Sequence, residues 1–164
     1  MKINYRVRFF ILLIVIGLSG CAPKPIVTSR IGTIDSKNKL LIATQKSEFK
    51  EAIVSKVVKG FEGNNVFIEI IDVANLPNTE TDDYEAIVIL NEYKFFQINR
   101  NVGNFLKSVD DSEKKKIILL TTGGSPRLIE EGSEVDAISS ASKMANTGTI
   151  SNSIIQKVNG ILSE

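Results

Sequence analysis

Ala86-Ile87-Val88-Ile89-Leu90 is an unbroken apolar run, and it is short enough for a single buried strand. Further runs rich in apolar residues lie at residues 40–43, 66–71 and 117–120, and a weaker one lies at residues 135–138. A strand that is apolar at every position is buried on both faces, as in a parallel sheet covered by helices. Strands that alternate with helices fit right-handed crossover units. The sequence therefore predicts an α/β fold of three layers, with a mostly parallel five-stranded sheet in the middle.

Apolar residues at helical spacing separate most of these runs. The first stripe runs from Phe49 to Phe61, and Ser47 before it is the predicted N-cap. In the second stripe, Phe95 and Phe96 are expected to begin the buried face of a helix. A third stripe, over residues 150–162, predicts a closing amphipathic helix.

The start of the chain has the pattern of a secretory signal. Residues 1–8 carry three cations and no acid, and Phe9–Ile16 is an unbroken apolar run. The following Leu18-Ser19-Gly20-Cys21 resembles the end of a bacterial lipoprotein signal, in which the cysteine is lipidated and becomes the new N-terminus. The alternative is an uncleaved transmembrane anchor, but this apolar stretch falls well short of the roughly 20 residues that span a bilayer.

These patterns divide the chain into a signal peptide (1–20), a lipidated cysteine with a flexible tether (21–38) and one folded domain (39–164). Without residues 1–20 the chain has 17 Lys+Arg against 19 Asp+Glu, because the signal holds three cations and no acid. This charge balance gives no electrostatic footprint for nucleic acid. Histidine is absent, which excludes histidine-dependent nucleophilic catalysis and histidine-bound metal centres. Cys21 is the single cysteine, so no disulfide can form within one chain.

The order of strands and helices resembles the flavodoxin-like family. Residues 39–61 are similar to its first strand, loop and helix, and residues 70–89 to its second and third strands. Val102-Gly103-Asn104-Phe105-Leu106 is similar to its third helix, and residues 118–124 to its fourth strand and loop. The resemblance implies an FMN site at the carboxyl ends of the strands, where open α/β sheets place their ligands.

The first loop departs from that family. Its phosphate segment has the pattern Thr/Ser-x-Thr-Gly-x-Thr, whereas this chain has Thr44-Gln45-Lys46-Ser47-Glu48-Phe49-Lys50. The glycine that allows close backbone approach is missing, and Glu48 would bring a negative charge to a phosphate. We expect Ser47 to cap the helix and Glu48 to complement its dipole instead.

Asp136-Ala137-Ile138-Ser139-Ser140-Ala141-Ser142 resembles the Asp-x-x-Ser/Thr-Gly-Ala-Thr signature of extracytoplasmic FMN-binding domains. In those domains a flavin transferase couples FMN through its phosphate to the last hydroxyl residue. The resemblance implies Ser142 as acceptor; Asp136, Ser139 and Ala141 match, and Ser140 replaces the glycine. The alternative is a tight strand-to-helix connection built from small residues. In the flavodoxin order, strands 1 and 5 lie roughly 14–15 Å apart, so a tethered flavin could not take the usual pose.

Two further segments follow strands at the same predicted edge. Asn91 and Tyr93 follow the third strand, where the family often stacks an aromatic residue on the flavin ring. Thr122, Gly123, Gly124 and Ser125 follow the fourth strand and offer free backbone amides to a flavin or an anion. The alternative for this second segment is a glycine-rich turn without a ligand.

The sequence leaves two main functions open. The first is FMN-linked electron transfer by an exported lipoprotein, with possible covalent flavin at Ser142. The second is a cofactor-free binding or assembly module tethered to the envelope. For either function, the expected partners are the membrane, through the lipid anchor, and a redox or envelope protein. An NAD(P)H-dependent reductase is disfavoured because nothing resembles a dinucleotide fingerprint. The expected location is extracytoplasmic and lipid-anchored, and Ala22 after the cysteine resembles outer-membrane sorting. No nucleic acid and no metal ion is expected as a partner.

Overall fold

The structure is a computed structural model that describes residues 25–95, 97–123 and 135–163. In these ranges six strands form one sheet, in the spatial order β1-β3-β2-β4-β5-β6. The strands are β1 (Ser29–Ile31), β2 (Asn38–Thr44), β3 (Val66–Asp72), β4 (Ala86–Glu92), β5 (Ile117–Thr122) and β6 (Asp136–Ser140). The helices are α1 (Glu48–Gly60), α2 (Arg100–Ser108), α3 (Asp111–Lys114) and α4 (Thr147–Leu162), with 3-10 turns at Leu76–Asn78 and Met144–Asn146.

Strands β2 to β6 are mutually parallel, and they are the five strands that the sequence predicts. Their registers bring apolar runs side by side, with Ile42 paired to Ile70 on one side and to Val88 on the other. The predicted helices over residues 49–61 and 150–162 are confirmed as α1 and α4. The α/β fold with a mostly parallel sheet is therefore confirmed.

The predicted number of strands was wrong, because the sheet has a sixth strand, β1, at its edge. This strand lies inside the stretch for which we expected a tether, and it pairs antiparallel with β3. Its three residues are all exposed and contain no apolar run, so sequence patterning could not detect it. Long-range pairing with β3, and not local propensity, makes this segment a strand.

Apolar side chains cover both faces of the sheet. Successive residues of a strand point to opposite faces. Leu40 and Ile42 belong to one core cluster, with α1 and α4, whereas Leu41 and Ala43 belong to a second cluster, with α2. The alternation within β2 thus explains why residues 40–43 are all apolar.

Strand β1 is attached through Glu69 of β3. The Arg30 guanidinium contacts Glu69 Oε1, with both Nε and Nη2 at 3.0 Å. The hydroxyl of Tyr84 donates to Glu69 Oε2 at 2.5 Å. Burial, and then the hydrogen bond and the charge of Glu69, raise the pKa of the Tyr84 hydroxyl well above its usual range. One carboxylate therefore joins the edge strand to the core.

The direction of β1 places the start of the described chain at the carboxyl end of β3. The Ile26 N–H donates to Asp72 Oδ2 at 2.9 Å, and Asp72 is the last residue of β3. From there the chain runs antiparallel to β3 and turns at Gly32, whose φ is 86°. A Cβ at Gly32 would lie 2.6 Å from the Val66 carbonyl oxygen, so this turn requires glycine. Within the described ranges, no helix has the length and apolar character needed to cross a membrane.

Candidate functional site at the carboxyl ends of the strands

The carboxyl ends of β2 to β6 lie along one edge of the sheet, because these strands are parallel. We define the carboxyl-end rim as the loops that follow them within the described ranges: residues 45–47, 73–75, 93–99, 123 and 141–143. Open α/β sheets bind ligands at this edge. The rim is therefore the place to test each predicted site residue.

The first loop of the rim is short and closed. Gln45, Lys46 and Ser47 alone separate β2 from α1. Ser47 Oγ accepts from the Lys50 N–H at 3.1 Å, which confirms the predicted N-cap. Glu48 lies in the first turn of α1, where a negative charge complements the helix dipole. This loop has neither the length nor the glycine for a cradle of backbone amides around a phosphate.

Lys50 is the residue of the rim that sequence reasoning missed. Its side chain is buried, and its Nζ donates to Gln45 Oε1 at 2.8 Å. No carboxylate of the described residues lies within ion-pair distance of this amine. Burial lowers the pKa of Lys50 to about 8, and the nearby charge of Glu92 opposes this shift while that of Lys94 adds to it. A signal for Lys50 was present, because it lies three residues before Ile53 on the buried stripe of α1.

Asn91 and Thr122 use their polar groups to hold the rim together. Asn91 is fully buried, and its Oδ1 accepts from the Asn99 N–H at 3.0 Å. Its Nδ2 lies 3.5 Å from Thr121 Oγ1, a weak contact. Thr122 Oγ1 donates to the Asn91 carbonyl at 3.0 Å. These two predicted site residues thus position the loop after β4.

Tyr93 and Gly123 lie against each other. The Tyr93 N–H donates to the Thr122 carbonyl at 2.8 Å, which extends the pairing of β4 and β5 into the rim. A Cβ at Gly123 would lie 3.2 Å from Tyr93 Cβ and 3.3 Å from the Tyr93 carbonyl oxygen. The lack of a side chain at Gly123 therefore lets Tyr93 approach closely. The structure brings these two predicted residues together.

Phe95 does not begin a helix, contrary to our expectation. Lys94 and Gln97 exchange two backbone hydrogen bonds, at 3.0 and 2.9 Å, and Phe95 lies in the turn between them with φ 50°. Asn99 then caps α2, since its Oδ1 accepts from the Asn101 N–H. The Phe95 side chain is 92% exposed. A bulky residue in the left-handed region is strained, so this turn holds an apolar side chain in solvent at a cost in stability.

The 136–142 motif does not form one cluster. Asp136 begins β6 at the amino end, where its carboxylate contacts Lys157 Nζ at 2.6 and 2.7 Å. Strand β6 continues to Ser140, two residues beyond the predicted end, so Ser139 and Ser140 lie within the strand. Four residue steps along a strand span about 13 Å, which separates Asp136 from the rim.

Ala141 and Ser142 follow β6 and lie on the rim, where Ser142 is exposed. The Ser140 hydroxyl donates to the Ala141 carbonyl at 3.0 Å, and the Lys143 N–H donates to the same oxygen at 2.7 Å. Ser142 is thus accessible, but Asp136 is not near it. Gly124, Ser125 and Cys21 lie outside the described residues.

The sequence matches no family model and no curated protein. Among solved structures, the chain is similar to a flavodoxin from the domain Archaea, with a TM-score of 0.52 and 14% identity over 75% of this chain and 98% of that one. The fold is flavodoxin-like. At such identity the similarity shows the fold alone.

Two flavodiiron structures show the same similarity of fold. The flavodiiron core from Synechocystis has a TM-score of 0.52 and 7% identity, over 79% of this chain and 37% of that one. A flavo-diiron protein variant from Thermotoga maritima has a TM-score of 0.52 and 13% identity, over 77% of this chain and 36% of that one. The flavodoxin-like domain corresponds to about a third of those proteins. Within its described ranges, this chain has no group of three or more carboxylate, cysteine or histidine residues that could hold a metal ion.

Proposed function

We propose that this chain is an exported, lipid-anchored flavodoxin-like protein that binds FMN at the carboxyl-end rim and takes part in electron transfer at the membrane surface. The observation that carries the proposal is the buried amine of Lys50, which lies at the start of α1 and has no carboxylate partner among the described residues. A buried cation is costly without a counter-charge. A phosphate group at the rim would supply that charge.

The phosphate end and the ring end of FMN would be bound by different parts of the rim. The short first loop does not fit the family's cradle of backbone amides. The Lys50 amine fits a phosphate, and that phosphate would replace Gln45 as the partner of the amine. Tyr93, packed on Gly123 and half-buried, supplies an aromatic face for the ring. Bound FMN would supply the redox chemistry, and the protein would supply binding, orientation and charge.

A covalent version of the proposal attaches the flavin phosphate to Ser142. Strand β6 is the neighbour of β5, so Ser142 lies about 5 Å across the sheet from the Gly123 position and three strands from Lys50. A flavin tethered there would reach Tyr93 from the β6 side without using Lys50. The two versions therefore make opposite predictions for substitutions at Lys50 and at Ser142.

The second candidate function is a cofactor-free binding or assembly module. Two observations favour it: Lys50 already has Gln45 as a partner, and the polar groups of Asn91 and Thr122 are used within the rim. In this function the rim is closed by its own hydrogen bonds, and the domain recognises an envelope protein through its surface. The lipid anchor at Cys21 and the location in the cell envelope, at the outer membrane where one exists, belong to both functions.

The test is the intact mass and colour of the mature protein from a host that lipidates and flavinylates exported proteins. A mass with lipid plus FMN less water supports the covalent version, and Ser142→Ala should remove that increment. A protein without this increment that stays yellow after FMN is added and the free FMN is removed supports the non-covalent version. A colourless protein that does not bind excess FMN refutes the flavin proposal and leaves the cofactor-free module.

Two matched variants locate the phosphate. Lys50→Met should weaken non-covalent FMN binding by roughly tenfold or more, because a charge-assisted hydrogen bond is lost. Lys56→Met, an exposed position on the same helix, should leave the affinity unchanged. Equal affinities of the two variants for FMN would show that Lys50 does not contact the phosphate.

A further inference from the structure

We propose that the carboxyl-end rim docks on an anionic lipid bilayer, so that the rim faces the membrane to which the chain is anchored. This inference rests on the lipid anchor at Cys21, which is part of the proposed function, and not on FMN binding. Three observations support it: the place where the anchored end of the chain joins the domain, the exposed apolar side chains of the rim, and its lysines.

The anchored end of the chain joins the domain at the rim. Ile26 is bonded to Asp72, the last residue of β3. Ile26 is five residue steps from Cys21, and an extended chain of that length spans at most about 18 Å. Acyl chains on Cys21 would therefore keep this corner of the rim close to the bilayer surface. The opposite, amino end of the sheet lies a full strand length further away.

One exposed apolar side chain lies on the rim, and two more lie in segments that adjoin it. Val27, beside the entry point, is 85% exposed, and Phe95, in the loop after β4, is 92% exposed. Met144, in the 3-10 turn that follows β6, is 48% exposed. These side chains lie at separate strands of the sheet, so they offer three points of contact and not one continuous apolar patch.

Lysines lie beside these apolar residues. Lys46 follows β2, Lys94 follows β4 and Lys143 follows β6, and all three are exposed. Lys94 forms an ion pair with Glu92 at 2.9 Å, and Glu48 adds one exposed acid at the start of α1. Each lysine near an anionic membrane surface contributes about fivefold in binding. A rim with both apolar and basic side chains is suited to the interface of an anionic bilayer.

The amino end of the sheet offers a competing surface. Ile31 and Ile34 are exposed there, at 40% and 59%, and Lys37, Lys59 and Lys115 are exposed on the same end. The entry point of the chain distinguishes the two ends, since Ile26 lies at the rim. The turn at Phe95 adds a second distinction, because it holds an aromatic side chain outward in a strained backbone.

The test uses tryptophan as a reporter, since the chain has none of its own. The mature, acylated protein without flavin is reconstituted into vesicles of phosphatidylcholine and phosphatidylglycerol, with and without lipids brominated on their acyl chains. Phe95→Trp should show a blue-shifted emission and strong quenching by the brominated lipids. Ile34→Trp, at the amino end, should show the emission of a solvent-exposed side chain and little quenching. Equal quenching of the two, or stronger quenching of Ile34→Trp, would overturn the proposal.

Charge reversal tests the role of the lysines. Lys46→Glu, Lys94→Glu and Lys143→Glu, combined in the Phe95→Trp background, should lower the quenching to the level of Ile34→Trp. The control set Lys37→Glu, Lys59→Glu and Lys115→Glu makes the same change in net charge at the amino end and should leave the quenching unchanged. Equal effects of the two sets would refute a specific contact of the rim.

The outcomes separate this proposal from the FMN proposal. A mature protein that carries no acyl groups overturns the docking proposal, and its FMN binding can still be measured. A lipidated protein that never binds FMN overturns the flavin function, while the quenching experiment still decides whether the rim faces the bilayer.

Discussion

Replacement of Lys50 by methionine should stabilise the protein at neutral pH. The folded pKa of Lys50 is lowered from 10.5 to about 8, chiefly by burial. One pKa unit corresponds to about 1.4 kcal/mol, so holding the protonated amine in this position costs about 3 kcal/mol at pH 7. The lost hydrogen bond to Gln45 offsets about 1 kcal/mol. We therefore expect Lys50→Met to raise the free energy of unfolding at pH 7 by about 2 kcal/mol.

The pH dependence of this effect has a definite sign. Between pH 8 and 10.5 the unfolded chain still binds the proton of Lys50, whereas the folded protein has released it. Stability rises with pH wherever the unfolded state binds more protons. The contribution of Lys50 to stability therefore improves across this window, and the advantage of Lys50→Met should disappear by about pH 10.5.

The assay is urea unfolding of both proteins at pH 7 and pH 10, followed by circular dichroism. Other groups titrate in this range, but they are common to both proteins and cancel in the difference. Lys56→Met, on the exposed side of the same helix, should change stability by less than about 0.5 kcal/mol at either pH. A difference between wild type and Lys50→Met that stays constant from pH 7 to pH 10 would refute the reasoning.

Three further predictions concern the other features of the structure. Phe95→Asn should raise the free energy of unfolding, measured by urea denaturation, by about 0.5–1 kcal/mol, because asparagine tolerates the left-handed backbone. A loss of stability would show that the Phe95 side chain packs against the domain. Tyr84→Phe should lower the free energy of unfolding by about 1–2 kcal/mol, because Glu69 loses a buried hydrogen-bond donor. An unchanged free energy of unfolding would mean that Arg30 alone holds this carboxylate. Gly123→Ala should displace the adjacent Tyr93 and weaken FMN binding severalfold, while the thermal midpoint of unfolding changes little. An unchanged affinity would show that the contact between Gly123 and Tyr93 is not part of the FMN site.

The sequence predicts the parallel part of the sheet because strands that are buried on both faces consist of apolar runs, which can be recognised directly. Residues 40–43, 86–90 and 117–120 are apolar at every position, residues 66–71 are apolar except for Glu69, and all four runs are observed as strands. Strand β1 has no apolar run, because its residues are exposed and its position depends on Glu69, which is distant in the sequence. Edge strands held by distant partners are therefore the part of this fold that patterning misses.

The candidate site also contains some residues whose roles the sequence predicts and others whose roles it does not. Ser47 was predicted as an N-cap from local chemistry, and its hydroxyl has that role. The motif from Asp136 to Ser142 was interpreted as one group, but its first five residues lie on an extended strand, which places Asp136 at the opposite end of the sheet. Lys50 was overlooked because lysine is almost never fully buried without a partner. Its burial depends on how α1 packs, and no short motif records that.

The hydrogen bond from Ile26 to Asp72 and the direction of β1 determine how the domain responds to mechanical load. In the lipid-anchored protein that we propose, tension in the anchor would enter at Ile26 and would pull along the axis of β1. The ladder bonds to β3 are perpendicular to that axis. They are consequently loaded in shear and must break together, along with the Arg30–Glu69 ion pair, instead of opening one by one. In that proposed arrangement, the short edge strand would act as a mechanical clamp between the lipid anchor and the rest of the domain.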